Sequence, residues 1–472
     1  MQRTAVLNVV GLTRSLIGEH TPRLRAFQQR HPAAVIDPAL PAVTCTAQSD
    51  YLTGRRPTDH GIVGNGWYHR ELAEIQFWKQ SNHLVGAPKI WDELRAVIPH
   101  FTCAKLFWWY NMYSTADWSV TPRPMYPADG RKLFDIYAWP YDLRPALKQK
   151  LGEFPFAGFW GPAAGVKSPQ GTPDCATRWI AESAKLVEEW HSPTLNLVYL
   201  PHLDYNLQRH GPTLSSSSGG QLNPKIIPDL KAIDDLVGDL LDYFDRRGVQ
   251  VIVLSEYGIT SVDTPIHLNR EFRKRGWLTI KEELGLELLD AGNSKVFAVA
   301  DHQVAHVYVN DRKLMSEVEA VLEATPGVAE IWDFPMKIQN GLAHPRAGDL
   351  VVFAQENAWF TYYYWMNDQR APDFARCVDI HRKPGYDPVE LFLDPNIPLA
   401  KVRIAWRLLQ KRLGFRMLMD VIPLDATLVR GSHGTRPASQ DDWPVVIGPG
   451  VPLNASLGST EVAGVIRHAL LG

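Results

Sequence analysis

The chain has 472 residues, 45% hydrophobic and 21% charged, with a formal net charge of −2, values that exclude a disordered or fibrous polypeptide. Such a balance leaves no basic footprint for nucleic acid and no polybasic membrane signal, so neither partner is expected. The length would hold roughly three average domains, although large α/β enzymes often build one core with insertions. Four cysteines, Cys45, Cys103, Cys175 and Cys377, lack zinc-ribbon or disulfide-framework spacing, which suits a reducing compartment. The N-terminal residues enter a strand at once without a signal-peptide pattern, and no run reaches transmembrane length, so a soluble cytoplasmic protein is expected.

Ala5 to Val10 reads as a buried strand closed by Gly11, and Leu16 to Arg25 as a loop leading into a helix. Ala33 to Ile36 is a second apolar run. After it, Ala47 to Leu52 predicts a short helix closed by Gly54, which places Thr44 at a strand-to-helix turn. A Thr there is ordinarily an N-cap. The same position suits a nucleophile, because free N–H groups and the helix dipole stabilise an alkoxide. Thr44 is the candidate, with neighbouring Cys45 its rival.

Pro41-x-x-Thr44, then Thr53-Gly54, then His60-Gly61-Ile62 and Asn65 resemble the nucleophile segment of the alkaline phosphatase superfamily, in its nucleotide pyrophosphatase/phosphodiesterase and phosphonoacetate hydrolase branch. The resemblance implies that Thr44 attacks phosphorus and that Asn65 donates a hydrogen bond to a phosphoryl oxygen. Phosphoryl transfer needs such an in-line nucleophile and equatorial donors.

Further along, Lys89 to Val97 has helical spacing and Thr102 to Phe107 reads as a strand. From Trp108 to Trp160 the chain is dense in aromatic rings and prolines, either a satellite core or a lid that walls the substrate. Trp109 and Tyr110 are its candidate substrate contacts. A helix, Thr177 to Trp190, and a strand, Leu195 to Leu200, lead to a loop, Pro201-His-Leu-Asp204, with Gln208, His210 and Gly211-Pro212 following. In the family this motif carries an Asp and, four residues later, a His on one metal. Asp204 matches, Gln208 replaces the His, and His210 reads as a surface residue. Ser215 to Gly220 is a polar loop, Pro228 to Arg247 a helix, and Val251 to Leu254 a parallel-type strand that ends in Ser255-Glu256-Tyr257-Gly258. The family has Asp-His on a second metal where Glu256-Tyr257 stands.

Leu268 to Ala343 looks like an inserted α/β cap with strands at Lys295 to Ala300 and Ala305 to Val309 and a helix at Leu314 to Ala324. His302 and His306 would share one face of a continuous strand, and partly exposed cap histidines are the expectation. Arg346-x-Gly348-Asp349 resembles a family motif opening a strand, Leu350 to Ala354. His381, Arg382 and Lys383 lie in a charged loop that either is solvated or holds a substrate phosphate or carboxylate. Gly431-Ser-His433-Gly434 resembles the family's last metal-ligand motif.

Five ordered blocks therefore imply an alkaline-phosphatase-like α/β fold, a mostly parallel sheet flanked by helices, with a core in 1–107, 177–267 and 420–472, an aromatic insertion (lid) at 108–176, and a cap and connecting segment at 268–419. The implied catalytic set is Thr44, Asn65, Glu256 and His433. The implied metal positions are Thr44, Asp204, Gln208, Glu256, Tyr257 and His433. Val10-Gly11 stands where the family has Asp-Gly, and Thr13 is a weak substitute. Two carboxylates and one imidazole are thin for two dications, so at most about one divalent ion per chain is expected, zinc, magnesium or manganese, or none. The expected function is hydrolysis of a small phosphodiester, phosphomonoester or phosphonate. A metal-independent transferase, or a degenerate relative that only binds a small molecule, stays open, as does the oligomeric state.

Overall fold

A computed structural model describes residues 1–165, 175–212, 220–452 and 456–472; the predicted polar loop lies, up to residue 219, outside the described residues. Most of the chain is organised on one nine-stranded sheet. Its strands are β1 (Thr4–Val9), β2 (Ala33–Asp37), β3 (Cys103–Leu106), β4 (Trp118–Pro122), β5 (Ile136–Trp139), β6 (Leu195–Leu200), β7 (Gln250–Leu254), β12 (Val445–Ile447) and β13 (Ser456–Gly458). A smaller antiparallel sheet holds β8 (Val296–Asp301), β9 (Val304–Val309), β10 (Val328–Trp332) and β11 (Leu350–Ala354).

The large sheet runs β13-β2-β12-β7-β1-β6-β3-β4-β5. Its centre is parallel: β1 lies between β6 and β7, and β6 pairs in turn with β3. The antiparallel pairings are those of β12 with its two neighbours and of β5 at the edge. All six residues of β1 are buried, as a near-continuous apolar strand covered on both faces must be. Helices α2 (Cys175–His191) and α4 (Ile227–Arg246) and the C-terminal α6 (Val462–Leu471) flank it. Among the described parts of the aromatic stretch, β4 and β5 extend the large sheet, and Phe154 and Phe159 pack against Phe107 and Trp179 of its core.

The short helix after Ile36 is α1 (Thr44–Thr53), with all ten residues buried. Gly54, at φ 65°, ends it in the left-handed region and returns its N–H to the Asp50 carbonyl, the role glycine fills at a helix C-terminus. Polar residues on this buried helix must be paired: Asp50 accepts from His60 Nε2 (2.8 Å) and from the Ser459 hydroxyl (2.5 Å). The stretch expected as a loop after Leu200 is instead helix α3 (His202–His210). His302 and His306 do not share one strand either, because a tight turn at His302-Gln303 separates β8 from β9. Both histidines are buried rather than partly exposed, since this hairpin packs against the loop after α1: His306 Nε2 lies 2.9 Å from the Val63 carbonyl, and its Nδ1 accepts from Gly348 N at 3.0 Å.

Candidate active site

Parallel strands deliver side chains at their C-terminal ends, and three of them converge here. The end of β2 leads to α1, that of β6 to α3, and that of β7 to Glu256 and Tyr257. Thr44 is the first residue of α1, and its hydroxyl lies 3.2 Å from the Tyr257 hydroxyl. That hydroxyl donates to Asp204 Oδ1 at 3.2 Å. Because α3 is helical, Asp204 and Gln208 stand one turn apart on one face, and Gln208 Nε2 donates to Asp204 Oδ2 at 2.8 Å. Tyr386 in turn donates to Gln208 Oε1 at 2.8 Å. Both oxygens of Asp204 are thus held by neutral donors.

Glu256 is fully buried, and its Oε1 accepts from Asn8 Nδ2 and Gln48 Nε2, each at 2.5 Å. The side chain also faces the Thr44 hydroxyl, and Oε2 has no hydrogen-bond partner among the described residues. Burial pushes its carboxyl up to about 8 and that of Asp204 up to about 7. Neutral donors offset only part of that desolvation. Thr13, the weak candidate near the first strand, bonds Ser15 at 2.8 Å instead.

Asn65 closes the other side. Its Oδ1 accepts the Cys45 N–H at 3.0 Å, its own N–H reaches Asp301 Oδ2 at 2.8 Å, and Nδ2 donates to Asp301 Oδ1 at 3.0 Å. Asp301 also holds His302 Nδ1 at 2.8 Å. His302 occupies a left-handed backbone conformation, φ 63°, uncommon for a side-chain-bearing residue and frequent at functional sites. Its ring stacks on Tyr386 (3.5 Å between centroids) and tilts against His433 (3.8 Å). Gly434 allows this approach: a Cβ there would lie 2.9 Å from Gln303 N, whose N–H bonds the His433 carbonyl at 2.8 Å. His433 Nδ1 pairs with the Ala42 carbonyl at 2.7 Å, so the lone pair is on Nε2, which is buried without a partner among the described residues. Burial holds both imidazoles well below their ordinary range, hence neutral.

The other expected residues are placed differently. Trp109 and Tyr110 lie behind α1, where the Trp109 N–H donates to Gln48 Oε1 at 2.7 Å and the Lys105 ammonium caps both their carbonyls. Lys383 is buried between Asp387 and Glu390, 2.7 Å from each, and Arg382 pairs with Asp373 at the surface. His381 Nδ1 lies 3.3 Å from the Phe77 carbonyl. His210 ends α3, two residues past the face that carries Asp204 and Gln208. Asn8, Gln48, Asp301 and Tyr386 contact this constellation although the sequence gives none of them a site role, and so does His302, expected to be a partly exposed cap histidine. Only Gln48 left a local trace, one turn after Thr44 on the same helix.

A family model for Type I phosphodiesterase / nucleotide pyrophosphatase matches residues 4–387. The chain belongs to this family. Its members are phosphodiesterase and pyrophosphatase enzymes, and Thr44, α3 and the β7 end all fall inside the matched span. No curated protein matches the sequence significantly. Among solved structures, phosphonoacetate hydrolase from Sinorhizobium meliloti in complex with phosphonoformate shares 13% identity and a TM-score of 0.59, covering 99% of this chain and 96% of that one. Murine ectonucleotide pyrophosphatase/phosphodiesterase 5, in an inactive form with AMP, shares 12% identity and a TM-score of 0.57, covering 100% and 95%. The human counterpart shares 13% and 0.57, covering 99% and 95%. These likenesses establish the fold: a mostly parallel α/β sheet flanked by helices.

The phosphodiesterase family is typically metal-dependent, and the donors present here do not fit a pair of zinc ions. Among the described residues no three His, Cys, Asp or Glu side chains converge as a metal group. The oxygens of Asp204 are taken by an amide and a phenol, and the phenol of Tyr257 must ionise before it ligates well, whereas burial drives it further toward the neutral form. No helix among the described residues is long and apolar enough to cross a membrane.

Proposed function

We propose that the chain hydrolyses a small phosphodiester, phosphomonoester or phosphonate, with Thr44 as nucleophile and with hydrogen-bonded carboxyl groups acting where relatives use paired metals. The observation that carries this is the line Thr44 to Tyr257 to Asp204, two contacts of 3.2 Å each. Asp204, raised to about 7, is matched to a base working near neutral pH. As Thr44 Oγ1 bonds to phosphorus and the leaving oxygen departs, the Thr44 proton passes to the Tyr257 oxygen and the Tyr257 proton to Asp204. Glu256, raised to about 8, is protonated at neutral pH and serves as a donor to the departing or equatorial oxygen. The second N–H of Asn65 Nδ2 and the α1 N-terminus face the phosphoryl oxygens. Neutral His433 accepts a hydrogen bond from the substrate at Nε2. Water then attacks the phosphothreonine, its proton passing to the Glu256 carboxylate that the first step left, while the Asp204 proton returns through Tyr257 to the departing Thr44 oxygen.

The free, buried thiols of Cys45, Cys103 and Cys377 support a cytoplasmic setting. Turnover of nitrophenyl phosphodiester, monoester and phosphonate substrates, with and without chelator, tests the proposal. Turnover that survives chelation and is lost in Thr44→Ala is expected; no turnover of any of the three classes, or full activity in Thr44→Ala, overturns it.

A further inference from the structure

Residues 399–419 carry Lys401, Arg403, Arg407, Lys411, Arg412 and Arg416 and no acidic residue, within a chain of net charge −2. Most of the segment is helix α5 (Ala400–Arg412), which has no buried residue. One edge is fastened to the protein: Arg403 and Arg407 pair with Asp420, and the Lys411 ammonium sits 5.8 Å from the Phe134 ring centre. The opposite edge is apolar. Val402, Trp406, Leu409 and Leu413 recur at i, i+4, i+7 and i+11 and therefore share one face, and they are 61%, 56%, 45% and 64% exposed. Phe415, just past the helix end, is 65% exposed as well.

A helix on a globular surface turns such a stripe inward; here it points outward, and no described residue covers it. Lys401 and Arg412, both exposed, lie about 80–100° around the helix from Val402. An apolar stripe with Trp, edged by cations, has the chemistry of a helix that lies in a bilayer interface. A second copy seated on the stripe would bring the same cations against each other, whereas anionic headgroups neutralise them.

We propose that α5 and the residues up to Leu418 form a docking surface for an anionic phospholipid bilayer, the helix lying in the headgroup plane with Trp406 and Leu409 inserted. The experiment is co-sedimentation of the full chain with vesicles of phosphatidylcholine alone and of phosphatidylcholine mixed with phosphatidylglycerol, at low and high salt. Retention on the anionic vesicles, weakened by salt, is expected. Trp406→Glu with Leu409→Glu should lower the partition coefficient at least about tenfold, as should Lys401→Glu with Arg412→Glu. The milder Leu409→Ser should lower it in part, and thermal melting of each variant without vesicles checks that the fold is kept. Absence of retention at low salt, equal retention on phosphatidylcholine alone, or retention unchanged in a folded Glu variant overturns the proposal. So does a dimer in light scattering that the same variants dissolve without vesicle binding, which assigns the stripe to a second copy.

Discussion

The phenol ring of Tyr257 lies flat on the imidazole of His433, their centroids 3.5 Å apart and their planes within 6° of parallel. The stack joins two positions that the resemblance assigns to different metals. The Tyr257 oxygen goes to Thr44 and Asp204. Positions that the resemblance assigns to two metals are therefore joined by packing and neutral hydrogen bonds.

Protein purified without chelator is accordingly expected to carry no more than about one divalent ion per chain, by the ligand count of known sites. Restoring imidazoles should reverse this. Gln208→His stands one turn from Asp204, and combined with Tyr257→His it should raise zinc content, read by elemental analysis. Two tightly held zinc ions in the unaltered protein would show that the donor set has been misjudged.

Thr44→Ala should lower kcat/KM at least about 10³-fold, the scale for losing an attacking group. Cys45→Ala should leave it within about fivefold, because burial holds that thiol well above its ordinary range and hence protonated. The reverse pattern would transfer the nucleophile to Cys45.

Asp301→Ala removes the acceptor of three hydrogen bonds, two from Asn65 and one from His302. Leaving those donors buried should cost about 2–4 kcal/mol in urea unfolding. A change below about 0.5 kcal/mol, the range of ordinary surface substitutions, would mean that Asn65 is held by something else.

The pH dependence of stability carries a definite sign. Glu256 rises from an ordinary 4.5 to about 8 on burial, so between those values the folded chain keeps a proton that the unfolded chain has released. Its contribution is fully present below 4.5, declines as pH increases, and is lost above about 8. Asp204, raised to about 7, acts in the same direction. Glu256→Gln should therefore flatten the alkaline limb of the melting temperature against pH and melt higher than the unaltered protein at about pH 9. Parallel curves would rule out Glu256 as the titrating group.

Elements whose signal is local were legible. Leu195–Leu200 and Leu350–Ala354 form strands over the predicted residues, and α1 closes at Gly54. The Asp301-His302 tip was not legible, because its meaning depends on a hairpin reaching Asn65 across the fold. Tyr386 was hidden in a charged loop whose most conspicuous cation, Lys383, turns inward to Asp387 and Glu390. The absence of a membrane signal was inferred from a charge averaged over the whole chain. Averaging concealed 399–419, where cations and outward apolar residues coincide, and where helix α5 had not been anticipated.

The hydrogen bonds that define the site join distant parts of the chain: Asn65 to Asp301 spans 236 positions, Asn8 to Glu256 spans 248, and Ala42 to His433 spans 391. Contacts of such separation close late, after the segments between them have found their own partners. During synthesis the helix that carries Thr44, the proposed nucleophile, emerges long before His433. A chain still growing carries Thr44 as an ordinary hydroxyl, and on the proposed mechanism it gains its full surroundings only once residue 433 has been made and the hairpin tip has reached Asn65.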